Sequence, residues 1–269
     1  MSSVDEVVER AMAVLAQRPS ALVTDVDGTL SRIVARPEDA SVSAVVRRAL
    51  ETLSPRLDLL AVITGRETDV ARRMVGVEEL KYIGSYALSG TVMPEGTLEA
   101  MAQARAAVEP YLKRLPGVTL ETKDVSFALH YRNSPDPEGM RARVIALLEP
   151  IAAAADAKLL EGKQVVEVAP RALPDKGTAF AALMHDEGIR GAIFVGDDLA
   201  DTAIFHEIRR RRRVLGLPGL AVGVIDAETP RAVIETTDVQ LHGVDDVEAL
   251  LAALAARIAD NKEQTAEHK

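Results

Sequence analysis

Ala21-Leu22-Val23-Thr24-Asp25-Val26-Asp27-Gly28-Thr29-Leu30 runs an apolar strand straight into two carboxylates, a glycine and a hydroxyl. A strand alternates its side chains between faces, so Asp25 and Asp27 point the same way and can grip one divalent cation while Val26 points back into the core. Gly28 lets the backbone turn sharply just past the strand, and Thr29 offers a hydroxyl and an amide to an oxyanion. A buried strand capped by an Asp-Gly turn would share these letters. Two carboxylates on one face, however, repel unless a cation or a proton joins them, and this favours a phosphoryl-transfer site.

Outward from this stretch, the same arrangement recurs. Val4, Val7, Val8, Ala11, Val14 and Leu15 lie at helical spacing behind a Ser3/Glu6 capping box, a packing helix that Pro19 ends before the strand. After the loop from Ser31 to Ala40, Ser41 is placed to cap a helix through Leu53. Leu57 to Ile63 is a continuous apolar run of the kind buried on both faces of a parallel sheet, and it ends in Thr64-Gly65-Arg66 before a helix over Glu67 to Val75. Lys81 to Gly84 forms a short strand. Downstream, Asp175-Lys176-Gly177 opens a helix ending near Gly188, and the buried-type strand Ala192 to Val195 delivers a second acidic cluster, Gly196-Asp197-Asp198-Leu199-Ala200-Asp201. The spacing lets Asp197 face a metal while Asp201 caps or steadies the next helix. Leu220 to Val224 is expected as the last strand and Asp245 to Ile258 as a closing helix, with 261–269 a frayed tail. Strands alternating with helices, with polar groups gathered at strand ends, define an α/β fold with a doubly wound parallel sheet core.

Between residues 89 and 172 the pattern changes. A helix over Leu98 to Leu115 precedes two strands, Val118 to Lys123 and Val125 to Arg132, joined too tightly for anything but a hairpin. A helix from Pro137 to Ala154 and the strands Ala157 to Glu161 and Lys163 to Val168 complete an inserted α/β domain containing an antiparallel sheet, hinged by Pro170 and Pro174. The expected domains are therefore 1–88 with 173–269, and 89–172. Val118, Leu120, Val125, Phe127, Leu129, Tyr131, Val166 and Val168 form one apolar face for the helices to cover. Glu121, Lys123, His130, Arg132, Lys163 and Glu167 fall on the opposite face, which is either simply solvated or free to meet a hydroxyl-rich ligand.

Composition limits the alternatives. The 269 residues are 48% hydrophobic and 27% charged, which suits a folded chain with a sizeable core. The apolar runs are shorter than a membrane span and the first residues lack a basic leader, so the expectation is a cytoplasmic protein without membrane attachment. Cysteine is absent, which excludes a thiol nucleophile and thiolate metal sites. A net charge of −9 argues against nucleic acid as a partner. The run Arg209 to Arg213 at a helix carboxyl end has no interleaved aromatics and reads as a solvated complement to the macrodipole.

Asp-x-Asp-Gly-Thr at Asp25, Thr64 at a strand end, Lys176 opening a helix and Gly-Asp-Asp-x-x-Asp at Gly196 resemble, in order, the four motifs of the haloacid dehalogenase superfamily. Within it the chain resembles the trehalose-6-phosphate phosphatases over nearly its whole length. The supporting stretches are Asp25-Val-Asp-Gly-Thr-Leu-Ser-Arg-Ile-Val with Pro37, Ile63-Thr-Gly-Arg, Glu121-Thr-Lys, Ser126-Phe-Ala-Leu-His-Tyr-Arg, Gly162-Lys-Gln-Val-Val-Glu and Asp175-Lys-Gly. The resemblance implies a HAD-like core with a cap and hydrolysis of trehalose 6-phosphate in trehalose biosynthesis. Asp25 would be the nucleophile, forming an aspartyl-phosphate, and Asp27 the acid/base. Thr64 and Lys176 would bind the phosphoryl oxygens, with Gly65 and Arg66 beside them on the substrate. Mg2+ would rest on Asp25, the Asp27 carbonyl and Asp197, with Asp198 and Asp201 in support. Glu121, Lys123, His130, Arg132, Lys163 and Glu167 would face glucose hydroxyls, Lys163 and Glu167 foremost, and cap closure would exclude water. A phosphorylated sugar is the implied partner, and a monomer the expected state.

Three departures from the family pattern keep other readings open. Gly84-Ser85-Tyr86-Ala87 stands where the family typically has Gly-x-His-Gly, Arg32 where a proline is common, and Ala200 and Thr202 where Thr and Glu are usual. The first touches substrate recognition and none removes a catalytic group. The alternatives are a related phosphatase acting on another phosphorylated sugar or a glycerate derivative, and a non-catalytic sugar-phosphate sensor.

Overall fold

The computed structural model describes residues 2–34, 36–85 and 93–266. Tyr86 and Ala87, and with them the Tyr86 departure, lie outside the described residues. In chain order the elements are α1 (Val4–Leu15), β1 (Ser20–Thr24), α2 (Ala44–Leu53), β2 (Leu59–Ile63), α3 (Thr68–Val75), β3 (Lys81–Ile83), α4 (Thr97–Leu112), β4 (Thr119–Thr122), β5 (Phe127–His130), α5 (Pro137–Ala154), β6 (Ala157–Gly162), β7 (Val165–Pro170), α6 (Lys176–Asp186), β8 (Gly191–Gly196), α7 (Thr202–Arg210), β9 (Gly219–Ile225), α8 (Arg231–Thr236), β10 (Val239–His242) and α9 (Gly243–Ala266). They fall into two compact units, Met1–Ala87 with Asp175–Lys269, and Leu88–Pro174.

The first unit is built on a six-stranded parallel sheet in the order β10-β9-β8-β1-β2-β3. Alternation along its strands feeds two separate cores. Leu22, Val62, Ile193, Val195, Val222 and Leu241 face α1, α2 and α9 through Val7, Leu50, Leu53, Leu250 and Leu254. Ala21, Val23, Ala61, Ile63 and Phe194 face α6 and α7 through Phe180, Met184, Phe205 and Ile208. Both faces are therefore covered, the requirement that makes these strands near-continuous apolar runs. Phe194 stands at the centre of the second core, its ring 6.3 Å from Phe180 and 5.7 Å from Phe205.

The second unit is a four-stranded antiparallel sheet, β4-β5-β7-β6, with α4 and α5 packed on one face. Phe127, Leu129, Tyr131, Val166 and Val168 are buried against Val108, Val144 and Leu148, while Val118 and Leu120 pack at the edge of the same cluster. Val125 does not join it, because it sits in the turn between β4 and β5. No helix among the described residues is long and apolar enough to cross a membrane.

Several expectations change at element ends. Ser43, not Ser41, caps α2, accepting the Val46 amide at 3.1 Å. A further edge strand, β10, follows β9, and α8 links them; both are too short to carry a periodicity. α9 continues past Ile258 to Ala266, so the expected tail is helical up to that point. The arginine run is not a solvated stripe. Arg211 is buried with its guanidinium on the Ile189 carbonyl, Arg212 grips Asp238 with both Nη atoms at 2.8 Å, and Arg209 reaches the Thr236 carbonyl. These side chains tie the end of α7 and its π-helical turn over Arg211–Leu215 to the Ile189 and Thr236 carbonyls and to the Asp238 carboxylate.

Phe194→Ala removes a ring with no exposed surface and is expected to lower stability by about 3–5 kcal/mol. Urea unfolding followed by circular dichroism reads this; a loss below about 1 kcal/mol would contradict the placement of β8 at the sheet centre.

Candidate active site

The registers of three strands set the site. Thr24 lies opposite Val62 of β2 and Val195 of β8, so all three strands finish at one level. Asp25 extends the ladder by donating its amide to the Val195 carbonyl at 2.9 Å. Asp25, Thr64 and Asp197 thus emerge together at the carboxyl edge, where doubly wound sheets place their sites. All three are buried, with Lys176 and Asp201 beside them.

Lys176 is the first residue of α6, whose Asp175 cap accepts the Thr178 amide at 2.7 Å. Its Nζ lies 3.1 Å from Asp25 Oδ1 and 2.7 Å from Asp201 Oδ1. The other oxygen of Asp201 accepts the amides of Asp197 and Asp198 at 2.9 and 3.0 Å, which fixes the turn leaving β8. Thr29 donates its hydroxyl to Asp197 Oδ1 at 3.2 Å. Gly28, at φ +76°, passes so close that any Cβ there would collide with the Asp197 carboxylate.

One carboxylate oxygen from each of Asp25, Asp197 and Asp201 lies within 4.8 Å of the others. Three buried oxygens with no nitrogen or sulfur donor suit a hard divalent cation. Asp198 is not part of this group: its carboxylate accepts the Leu199 amide at 2.7 Å and caps the short helical turn that follows. Burial pushes the Asp25 carboxyl up from 3.8 to about 7, with the Asp201 and Asp27 charges adding to the rise and Lys176 opposing it.

Asp27 is held from the side. Arg66 donates to both of its oxygens, Nε at 2.6 Å and Nη2 at 2.7 Å. The Arg66 amide donates to Thr64 Oγ1 at 3.2 Å, and its carbonyl accepts the Ser85 amide at 2.8 Å. Thr64-Gly65-Arg66 therefore joins the end of β2 to the acidic stretch rather than pointing away from it.

In the second unit, the face opposite the helices carries the charged set in pairs. His130 Nε2 meets Glu121 Oε2 at 2.7 Å, Lys123 Nζ meets Glu167 Oε2 at 2.8 Å, and Arg132 donates to the Lys163 carbonyl at 3.1 Å. This face is less solvated than its alternation suggests, for Ala128, Glu167 and Ala169 are buried. Ser126, which did not stand out in the sequence, donates to Glu167 Oε1 at 2.6 Å. The signal was its place two residues before Ala128, on the same face as Glu121. Asp201 likewise proves to be part of the carboxylate group rather than only a support for it.

A profile of the family described as Trehalose-phosphatase matches residues 23–235. A trehalose-phosphate phosphatase of Mycobacterium avium is 32% identical over 213 residues, covering 72% of this chain and 53% of that protein. An uncharacterized glycosyl hydrolase of Mycobacterium tuberculosis is 31% identical over 221 residues, 76% of this chain but only 16% of its own length. The chain thus spans about half the length of the mycobacterial phosphatase and a small part of the larger protein. Among solved structures, the C-terminal domain of the Candida albicans trehalose-6-phosphate phosphatase superposes with a TM-score of 0.78 at 20% identity, over 95% of this chain and 97% of that one. A sucrose-phosphatase from Synechocystis gives a TM-score of 0.53 at 15% identity over 89% and 98%. At these identities the two structures establish likeness of fold.

The raised Asp25 pKa fixes the sign of a pH effect. Because the folded value of about 7 lies above the ordinary 3.8, the folded state prefers the protonated carboxyl, and the preference is lost as pH rises through that range. In chelator, the stability of the unsubstituted protein relative to Asp25→Asn is expected to fall from pH 4 to about 7 and then level off. Urea titrations across that range would show it; a difference independent of pH would refute the assignment.

Proposed function

The chain belongs to the trehalose-phosphatase family, and on that premise we propose that it is a Mg2+-dependent phosphatase that hydrolyses trehalose 6-phosphate to trehalose and phosphate. The observation that carries the reading is the buried group of Asp25, Asp197 and Asp201 around Lys176 at the carboxyl edge of the parallel sheet. One lysine cannot balance three carboxylates, and the surplus negative charge, held on oxygen alone, fits a divalent cation. Asp25, Asp197 and the Asp27 carbonyl would hold Mg2+, with Asp201 close by. Bound there, Mg2+ would offset charge on the nucleophile and on the phosphoryl oxygens.

Asp25 is the nucleophile. Its free oxygen forms the bond to phosphorus as the bond from phosphorus to the sugar oxygen breaks, and Asp27 delivers a proton to that oxygen. Asp27 then takes a proton from water as the water oxygen attacks phosphorus, which releases phosphate and restores Asp25. Lys176, already on Asp25, and Thr64 hold the phosphoryl oxygens. Arg66 keeps Asp27 oriented through both carboxylate oxygens, and a phosphoryl group, with its similar fork of acceptors, competes for the same guanidinium.

The second unit acts as the specificity cap of this enzyme, with Glu121, Lys123, His130, Arg132 and Lys163 toward the sugar. The enzyme works in the cytoplasm as a monomer on a phosphorylated sugar, without nucleic acid or membrane.

Phosphate release from trehalose 6-phosphate beside a panel of sugar phosphates tests the proposal. Activity is expected with Mg2+, its loss in chelator, and a fall on the order of a thousandfold or more for Asp25→Asn. Equal activity of that variant would sink the mechanism. Preference for a different sugar phosphate would keep the catalytic residues and reassign the substrate.

A further inference from the structure

The Asp27 carboxylate lies beyond the end of β1 and is partly exposed, and among the described residues Arg66 is its one hydrogen-bonding partner, through Nε at 2.6 Å and Nη2 at 2.7 Å. Where Asp27 points is therefore set by where the Arg66 guanidinium is held. Arg66 stands in the turn between β2 and α3, and the chain leaving β3 braces that turn from behind. Ile63 lies opposite Ile83, and the Thr64 amide carries the ladder one step further, onto the Ile83 carbonyl at 3.0 Å. The Gly84 amide donates to Thr68 Oγ1 at 3.2 Å, and the Ser85 amide to the Arg66 carbonyl at 2.8 Å. Ile83, Gly84 and Ser85 thus each take one bond to the turn over 64–68.

Two features show how closely the segments are fitted. Gly84 touches the turn directly: a Cβ there would strike the Arg66 carbonyl and the Thr68 backbone. Ser85 adopts φ +45°, a left-handed conformation that a residue with a side chain enters only at a cost, and in it the amide reaches Arg66. Backbone groups of a surface turn are as readily met by water. Here protein groups meet them, and the turn that carries Arg66 loses the freedom water would leave it.

Resting on the phosphatase reading above, we propose that Gly84 is a positioning residue for the acid/base: by admitting the chain after β3 against the 66–68 backbone it fixes Arg66, and Arg66 aims Asp27. Arg66, marked by the sequence as a substrate contact, acts on this view through Asp27. The consequence is selective for the leaving group. As Asp25 bonds to phosphorus and the bond from phosphorus to the sugar oxygen breaks, that oxygen departs with the electron pair and takes the Asp27 proton. One Asp27 oxygen carries the proton while the other keeps a guanidinium donor. A nitrophenolate departs with the same pair and is stable without a proton, so its release depends far less on where Asp27 points.

Gly84→Ala, Arg66→Lys and the double variant, all of which keep the net charge, are assayed with Mg2+ on 4-nitrophenyl phosphate and on the sugar phosphate that the unsubstituted protein hydrolyses best. Lysine keeps the charge of Arg66 but not its fork. The ratio of kcat/KM for the sugar ester to that for the aryl ester is expected to fall about tenfold in Gly84→Ala and about thirtyfold in Arg66→Lys. The double variant should lie less than about threefold below Arg66→Lys, because both changes act through one guanidinium. Thr68→Val takes the acceptor from the Gly84 amide, should lower the ratio about threefold, and decides the matter if Gly84→Ala fails to fold. Equal losses on the two esters would mean that Arg66 serves the phosphoryl group, and multiplying effects that Gly84 acts by another route. Either result overturns the inference, as does an unchanged ratio. No turnover of either ester by the unsubstituted protein is instead the failure of the phosphatase reading, and the inference falls with it.

Discussion

The structure is organised around a shortage of positive charge. Asp25, Asp197 and Asp201 are buried within one small volume, and Lys176 bonds two of them. In a low-dielectric interior, carboxylates at this separation cannot all stay ionised without a further cation or a proton. The molecule meets the demand locally in several ways. Asp201 is satisfied completely by one ammonium and two amides, Asp197 receives the Thr29 hydroxyl, and Asp25 has its pKa pushed up to about 7. In Asp25, burial together with the neighbouring carboxylates outweighs the nearby ammonium, and the charged form is held back until about neutral pH.

Only a parallel sheet with both faces covered gathers these groups so tightly. Strands β1, β2 and β8 must end level, which their registers achieve, and each must be buried on both sides so that the polar groups collect at the ends rather than along the length. The glycines follow from the same crowding. Gly28 has no room for a Cβ beside Asp197, and Gly196 has none beside Asp201. The aromatic contacts of Phe194 behind Gly196 keep that strand end from shifting, so the core and the site share one set of restraints.

Most of this was legible because its elements announce themselves by period and by punctuation. The apolar runs before Asp25, Thr64 and Asp197 are long enough to read as buried strands, and each ends in residues that have no business in a core. Ser3 caps the helix its sequence advertises, and Asp175 caps the one it opens. What the sequence hid was governed by contacts distant in the chain. β10 has four residues and takes its place through pairing with β9. The arginine run looked solvated because helix position says nothing about which carbonyls lie beyond the helix; Arg211 finds that of Ile189 and Arg212 finds Asp238. Asp198 and Asp201 are alike by spacing, and only the turn after β8 decides which caps and which joins the carboxylate group.

The second unit poses the converse problem, since its charged face reads clearly as a pattern and ambiguously as chemistry. Alternation marks Glu121, Lys123, His130 and Glu167 as sharing a side, but it cannot distinguish a residue aimed outward from one consumed by its neighbour. The pairings resolve this. A carboxylate with both oxygens engaged at the sheet centre contributes rigidity to the strands around it. In the first unit three buried carboxylates gather around one ammonium, whereas here opposite charges are matched side chain to side chain. On the phosphatase reading, catalysis would benefit from the first arrangement, because its surplus charge would be met when metal and phosphate bind. The pairing in the second unit leaves its charged side chains little freedom to lose should a ligand arrive, because they are already fixed by one another.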